Sequence, residues 1–278
     1  MTVKIFTIQR DEDDILEDWL RYHIYLFGKE NVYVIDHKSK KSRATIEKYG
    51  VNLIKYDGPF ELNGKANILS KTINDHKAGS TLVLPVDVDE FVIQIQYNEQ
   101  NMFCKVICDR DTIRKRLAQY AKEATKDGFK FQSLTTRVNG QDDVLTTCDQ
   151  CGTENKDKFS RWKSFYAAKK FSRTDQGNHG VPGETYHKTD MGLIHFHNRG
   201  FDHFKQKYLR WKDTYGKCWG MNGSHWKKVY DQIEGKTDEE MRKVWMGRIN
   251  TNKGDHKEVF IPFHEKIREL RSNESKDN

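Results

Sequence analysis

Two rhythms of apolar residues alternate over the first ninety positions. Residues 2–9 are dense in Val, Ile and Phe and read as a strand. In "RDEDDILEDWLRYHIYLFG", Ile15, Trp19, Tyr22 and Leu26 recur at helical spacing, which gives a helix one apolar face. Asp and Glu crowd the first turn, where the helix dipole favours negative charge, and Gly28 ends it. "NVYVID" is the next strand, residues 43–49 a short helix, and "VNLIKY" a third strand. Ala66, Leu69 and Ile73 put a helix over 65–76, and "STLVLPVD" is the fourth strand. Strand and helix in strict alternation predict an α/β fold with a mostly parallel sheet and helices on its faces.

The second half is less regular. A helix is expected over 111–122, with Ile113, Leu117 and Tyr120 inward, and strands over 129–138 and 161–171. "RTDQGNHGVPGE" is a loop by composition, "GLIHFH" is strand-like, and Asp202 is placed to cap a helix over 203–211. The stretch from Ser272 reads as a polar tail. No repeat or linker divides the chain. One domain over 1–265 is expected, with an alternating half (1–95), a less regular half (96–265) and a tail (266–278).

Composition narrows the partners. The chain has 278 residues and a net charge of +7, which suits an anionic ligand such as a nucleotide or a phosphorylated substrate. The basic residues are dispersed, so much of this charge is ordinary solvated surface. "VKIFTI" lacks the length and cleavage site of a signal peptide, and no apolar run approaches the ~20 residues of a membrane helix. Five cysteines, an odd number, argue against a disulfide framework and for a reducing, cytoplasmic location.

The chemistry gathers in "LVLPVDVDEFVIQ". An apolar strand runs into Asp87, Asp89 and Glu90. Ligands in open α/β sheets bind beyond the carboxyl ends of strands, and Asp36 and Asp87 both lie at such ends. Two carboxylates one residue apart can grip a hard divalent cation, Mn²⁺ or Mg²⁺, which also binds phosphate oxygens. The plain alternative is a solvated turn, where Asp is common.

Three segments carry a resemblance: "IQRDEDDILEDWLRYHIYLFGKENVYVIDHKS", "LPVDVDEF" and "GLIHFHNRGFDHFKQKY", spanning roughly residues 3–210. In this order they resemble a GT-A fold, metal-dependent glycosyltransferase of the family 2-like group. In length and character the chain is similar to the small glycosyltransferases of large algal viruses. The resemblance implies that 1–95 is a Rossmann-like half binding a nucleotide-sugar donor (a UDP-sugar), that 96–265 binds a glycan or other hydroxyl acceptor, and that Mn²⁺ or Mg²⁺ takes part. It implies that Thr7 to Arg10 line the base pocket, that Asp36 touches base or ribose, and that Lys65 and Asn67 lie on the segment closing over the donor. Asp87 would hold ribose or metal and Asp89 the metal, with His195 or His197 completing its shell. It also puts His179 at an acceptor position. The Glu-Asp pair that many family 2 enzymes place at a helix start has no clean counterpart. Asp142, Asp143 and Asp175, on loops, are then the candidate bases, although a plain loop acid is the more ordinary reading of each.

Other side chains have competing uses. Cations on either side of the His-x-His segment (Arg161, Lys163, Lys169, Arg199, Lys205, Lys207) could meet a diphosphate. Tyr208, Trp211, Tyr215, Trp219 and Trp226 could stack on sugar rings or fill a core. Cys148 and Cys151, with Cys104 and Cys108, could form a zinc site, and a basic nucleic-acid-binding module with a zinc knuckle is the second functional class. It leaves the strand-end acids unexplained, since they repel phosphate, so nucleic acid is the less favoured partner. A haloacid-dehalogenase-like phosphatase also ends a strand in Asp-x-Asp, but here Phe91 sits where that family has Thr or Val.

Overall fold

The computed structural model describes residues 1–59, 64–100, 103–136, 144–147, 162–197, 199–207, 225–249 and 257–274. Within them β1 (Val3–Gln9), β2 (Val32–Asp36), β3 (Asn52–Lys55) and β4 (Leu82–Pro85) alternate with α1 (Leu16–Phe27), α2 (Ser42–Tyr49) and α3 (Gly64–His76). The strands β5 (Glu90–Tyr97), β6 (Phe103–Ile107), β7 (Gly128–Thr135), β8 (Trp162–Ala167) and β9 (Tyr186–His195) complete one sheet of order β3-β2-β1-β4-β8-β7-β9-β5-β6. The first four strands are mutually parallel. From β8, which runs antiparallel to β4, the sheet is mixed. A Rossmann-like parallel half joined to a mixed half is the GT-A type of α/β architecture expected from the sequence.

The apolar rhythm of α1 becomes the core. Trp19, Leu20, Tyr22 and Leu26 are fully buried, and each such leucine stabilises the fold by about 2 kcal/mol. The same face carries polar tips that fasten β5. Trp19 Nε1 donates to the Glu90 carbonyl at 3.0 Å, and Tyr22 Oη donates to the Val92 carbonyl at 2.8 Å. The helix therefore sets the height at which Glu90 enters the sheet.

His23 adds a third tie. Its Nδ1 lies 2.9 Å from the Trp19 carbonyl, and its Nε2 accepts from the Val92 amide at 3.4 Å. Only the neutral ring with its proton on Nδ1 makes both bonds. Burial pushes the His23 pKa down to about 3. The unfolded chain takes up this proton below about pH 6.5, whereas the folded chain refuses it until about pH 3, so stability falls as pH drops through that window. At pH 4.5 the loss from this residue is about 2–3 kcal/mol. Urea unfolding midpoints at pH 7 and 4.5 should differ less in His23→Leu than in the parent chain. An unchanged difference would show that other groups carry the acid sensitivity.

Several boundaries differ from those read in the sequence. α1 begins at Leu16, because Glu12 to Ile15 form a turn whose Glu12 carbonyl accepts from Ile15 and Leu16. β5 and β6, absent from the sequence reading, continue the chain directly beyond the acids. Beyond α4 (Arg110–Lys122) and α5 (Val144–Thr147), the helix near Asp202, α6 (residues 201–207), starts two residues earlier than expected, so Asp202 lies inside it and does not cap it.

The expected tail is structure. α7 (His225–Ile233) and α8 (Asp238–Ile249) precede α9 (Ile261–Glu274). Phe263 and Ile267 of α9 are buried, and Arg271 grips both oxygens of Asp18 at 2.8–2.9 Å. Residues 266–274 therefore belong to the fold and clasp α1. No helix among the described residues is long and apolar enough to cross a membrane.

Candidate metal centre and donor-binding edge

The chain leaves the sheet at Pro85, turns through Asp87–Asp89, and re-enters it at Glu90 in β5. The Asp87 carbonyl accepts from the Glu90 amide at 3.0 Å, and Glu90 Oε2 accepts from the Asp87 amide at 3.0 Å. This reciprocal clamp faces the two aspartates in different directions.

Asp89 faces the end of β9. Its carboxylate, His195 and His197 each offer a ligand atom, and these atoms lie within 4.8 Å of one another. Register explains the meeting: Glu90 pairs with His195, and the Phe196 amide donates to the Asp89 carbonyl at 2.8 Å. His195 Nε2 is 3.5 Å from Asp89 Oδ2. Burial would raise the Asp89 carboxyl, but His195, Lys207 and Arg199 outweigh it and hold the group well below the usual carboxylate range. It is an anion ready to ligate. One carboxylate and two imidazoles fit a borderline cation such as Mn²⁺ better than Mg²⁺, which favours oxygen throughout.

Asp87 does not join this group. Its Oδ1 accepts from Lys65 Nζ at 2.5 Å and from Asn178 Nδ2 at 3.2 Å, and its Oδ2 from Lys163 Nζ at 3.0 Å. Lys163 also lies 3.0 Å from Glu90 Oε1, with its side chain only 6% exposed. Burial works to raise the Asp87 carboxyl and to lower the Lys163 ammonium, yet their mutual attraction wins in both, so each is charged. Of the two aspartates, expected to hold ribose or metal (Asp87) and metal (Asp89), Asp89 meets the imidazoles and Asp87 the lysines.

The remaining expected residues fall into three sets. Lys65, in the first turn of α3, is at the centre, whereas Asn67 is exposed on the same helix. Thr7 and Asp36 line the carboxyl edge of the parallel strands, with Arg10 just beyond β1. Asp36 is fully engaged: Gln9 Nε2 donates to one oxygen at 2.8 Å, and Arg43 to the other at 2.7–2.8 Å. The third set lies on the loop after β8. Asp175 accepts from the His179 amide at 2.6 Å, and exposed His179 places Nδ1 2.5 Å from the Trp162 carbonyl. Asp142 and Asp143 lie outside the described residues, as do Cys148, Cys151, Arg161, Tyr208, Trp211, Tyr215, Cys218 and Trp219.

Two contributors were missed. Asn178, next to the flagged His179, is fully buried at φ 58° and donates to Asp87. Asn accepts that left-handed conformation more readily than most residues, which was a signal available in "QGNHG". Glu12, hidden in the acid run before α1, pairs with Arg199, which also reaches Asp14 at 3.3 Å. Glu12, Asp14 and His203 also cluster closely enough to hold an ion, but the Arg199 guanidinium already supplies the positive charge there. Cys108 is buried beside Tyr22, with its thiol pushed up to about 12 by burial, whereas Cys104 is exposed.

No protein-family model matches the chain, and no curated protein matches it significantly. Among solved structures it is similar to glucosyl-3-phosphoglycerate synthase from Mycobacterium tuberculosis in complex with Mn²⁺, UDP-glucose and phosphoglyceric acid. That match has 12% identity and TM-score 0.32, over 52% of this chain and 46% of that one. S. aureus TarS matches at 10% identity and TM-score 0.38, over 98% of this chain and 54% of that one. A cytidylyltransferase from Leptospira borgpetersenii serovar Hardjo-bovis (strain JB197) matches at 10% identity and TM-score 0.37, over 92% and 100%. The chain thus spans about half the length of the first two. At this distance function must be read from the chain's own residues.

Proposed function

We propose that the chain is a metal-dependent glycosyltransferase that moves a sugar from a UDP-sugar to a hydroxyl of a glycan acceptor. The observation that carries this reading is the meeting of Asp89, His195 and His197 beside the lysine-bound Asp87, at the carboxyl end of β4. A bound Mn²⁺ would supply Lewis-acid neutralisation of the departing diphosphate. Lys65, about one-fifth exposed, is the cation able to turn from Asp87 toward phosphate oxygens, while Lys163 stays buried and holds Asp87 in place.

The edge formed by Thr7, Gln9, Arg10 and Asp36 receives the nucleoside, with Asp36 acting through the Gln9 and Arg43 groups it orients. In the transfer the bond from the sugar's anomeric carbon to the diphosphate oxygen breaks. The acceptor oxygen bonds to that carbon and gives its proton to a carboxylate, for which Asp175 and the loop acids Asp142 and Asp143 are the candidates. His179, exposed on the loop after β8, is assigned to the acceptor side.

Calorimetry with UDP-glucose, UDP-galactose and UDP-xylose tests this, with and without Mn²⁺, on the parent chain and on Asp89→Ala. At least one donor should bind with Mn²⁺ and lose about tenfold or more affinity without it or in the variant. Absence of nucleotide binding, with RNA or DNA binding that falls steeply with salt, would overturn the reading.

A further inference from the structure

The loop after β8 is bonded along α3, from the residue just past its C-terminus to its first turn. The Phe171 carbonyl accepts from Lys77 Nζ at 2.7 Å, and the Ser172 carbonyl accepts from Asn74 Nδ2 at 2.7 Å. The Thr174 amide donates to Ser70 Oγ at 3.0 Å, and Gln176 Oε1 accepts from the Ala66 amide at 3.2 Å. As the loop advances from 171 to 176, its partners step back along the helix from 77 to 66. Two residues further on, Asn178 reaches the Asp87 carboxylate, which also holds Lys65 from the first turn of the same helix.

Asn178 is held by its backbone and its side chain together. Its carbonyl accepts from the Ser164 amide of β8 at 2.7 Å, and its amide donates to the Asp175 carbonyl at 3.2 Å. Thr174 Oγ1 donates to its Oδ1 at 3.1 Å, which turns Nδ2 toward Asp87 Oδ1 at 3.2 Å. The ties of Asn178 to Ser164, Asp175 and Thr174 do not involve Lys65, so its amide stays in place when that lysine moves.

The two Asp87 oxygens are served differently. Oδ2 accepts from buried Lys163, which is also tied to Glu90. Among the described residues Oδ1 has two donors, Lys65 Nζ at 2.5 Å and Asn178 Nδ2 at 3.2 Å. The Lys65 side chain is partly exposed and sits on a flexible four-carbon stem, whereas Asn178 is fully buried. If Lys65 leaves, Asn178 keeps Oδ1 hydrogen-bonded. Stripping a buried carboxylate oxygen of its last donor costs much more than removing one donor of two. We propose that Asn178 is a positioning residue that frees Lys65 for the phosphates of the donor by holding Asp87 in its stead. This role rests on the glycosyltransferase reading, in which Lys65 turns from Asp87 to phosphate oxygens.

Calorimetry of UDP with Mn²⁺ on the full chain tests this through a cycle of variants. Asn178→Gly keeps the left-handed backbone and removes the amide. Its UDP affinity should fall about tenfold, the worth of a hydrogen bond to a charged group. Asn178→Asp keeps the shape, tolerates the same backbone and as a carboxylate offers Oδ1 no donor, so its affinity should fall at least as far. In Lys65→Met there is no lysine to release, and adding Asn178→Gly should then change UDP affinity by less than about twofold. A purely structural Asn178 would weaken both backgrounds equally, and that result would overturn the proposal. So would UDP binding by the parent chain that neither Asn178 variant alters, which strikes this role alone. A parent chain that binds no UDP in the presence of Mn²⁺ would overturn the glycosyltransferase reading and this role with it.

Discussion

Asp89→Asn should leave a folded protein whose Mn²⁺-dependent turnover of a UDP-sugar falls about 10³-fold, the several kcal/mol that a bound cation contributes to a departing diphosphate. The fold should survive because the Asp89 backbone carbonyl, which accepts from Phe196, is untouched. The change removes the 3.5 Å pair with His195 and the longer-range attraction of Lys207 and Arg199, while asparagine keeps the side chain's shape. Asp87→Asn should behave differently. It releases Lys65, Lys163 and Asn178 together, so donor binding should weaken with and without metal. Initial rates across a Mn²⁺ titration separate the two. If Asp89→Asn retains the parent's metal response, Asp89 is not a ligand.

Lys163→Met should lower stability by about 3–5 kcal/mol, because it strands two carboxylates, Asp87 and Glu90, in a buried setting where removing one member of an ion pair leaves uncompensated charge. For a chain of this size the melting temperature should drop by roughly 10 °C. Lys65→Met is the matched control. It removes a cation from the same Asp87 carboxylate, but Lys65 is more exposed and Lys163 remains, so the stability cost should be below about 1 kcal/mol. Its effect should fall on turnover. Thermal melts of both variants, measured beside initial rates, decide whether the two lysines divide the work in this way. Equal destabilisation by both would refute the division.

Much of the parallel half was legible because its signals are local. The period of Ile15, Trp19, Tyr22 and Leu26 and the buried runs of β1, β2 and β4 correspond to elements that form where the pattern places them. β5 was missed although Ile93, Gln94, Ile95, Gln96 and Tyr97 alternate at strand period, since the acids before it drew the reading toward a turn. α9 was missed because its sequence is polar over most of its surface, and its buried residues Phe263, His264 and Ile267 make sense only against partners distant in sequence, as where Phe263 meets Tyr22, Phe91 and Phe196.

At the centre, the residue types were legible and their pairing was not. Asp-x-Asp suggested two ligands, but which carboxylate meets lysine and which meets histidine depends on Lys65, Lys163 and His195. These arrive from three elements distant in sequence. Asp36 likewise looked like an open acid at a strand end, and its closure by Gln9 and Arg43 is a tertiary fact.

Electron paramagnetic resonance of Mn²⁺ added to the full chain, read for nitrogen hyperfine couplings, goes straight to the ion itself. Two imidazole couplings should appear, one vanishing in His195→Gln and the other in His197→Gln, with both gone in Asp89→Ala as the ion is released. A spectrum of fully hydrated Mn²⁺, or a bound ion with no nitrogen in its shell, would contradict the reading of Asp89, His195 and His197 as one metal site.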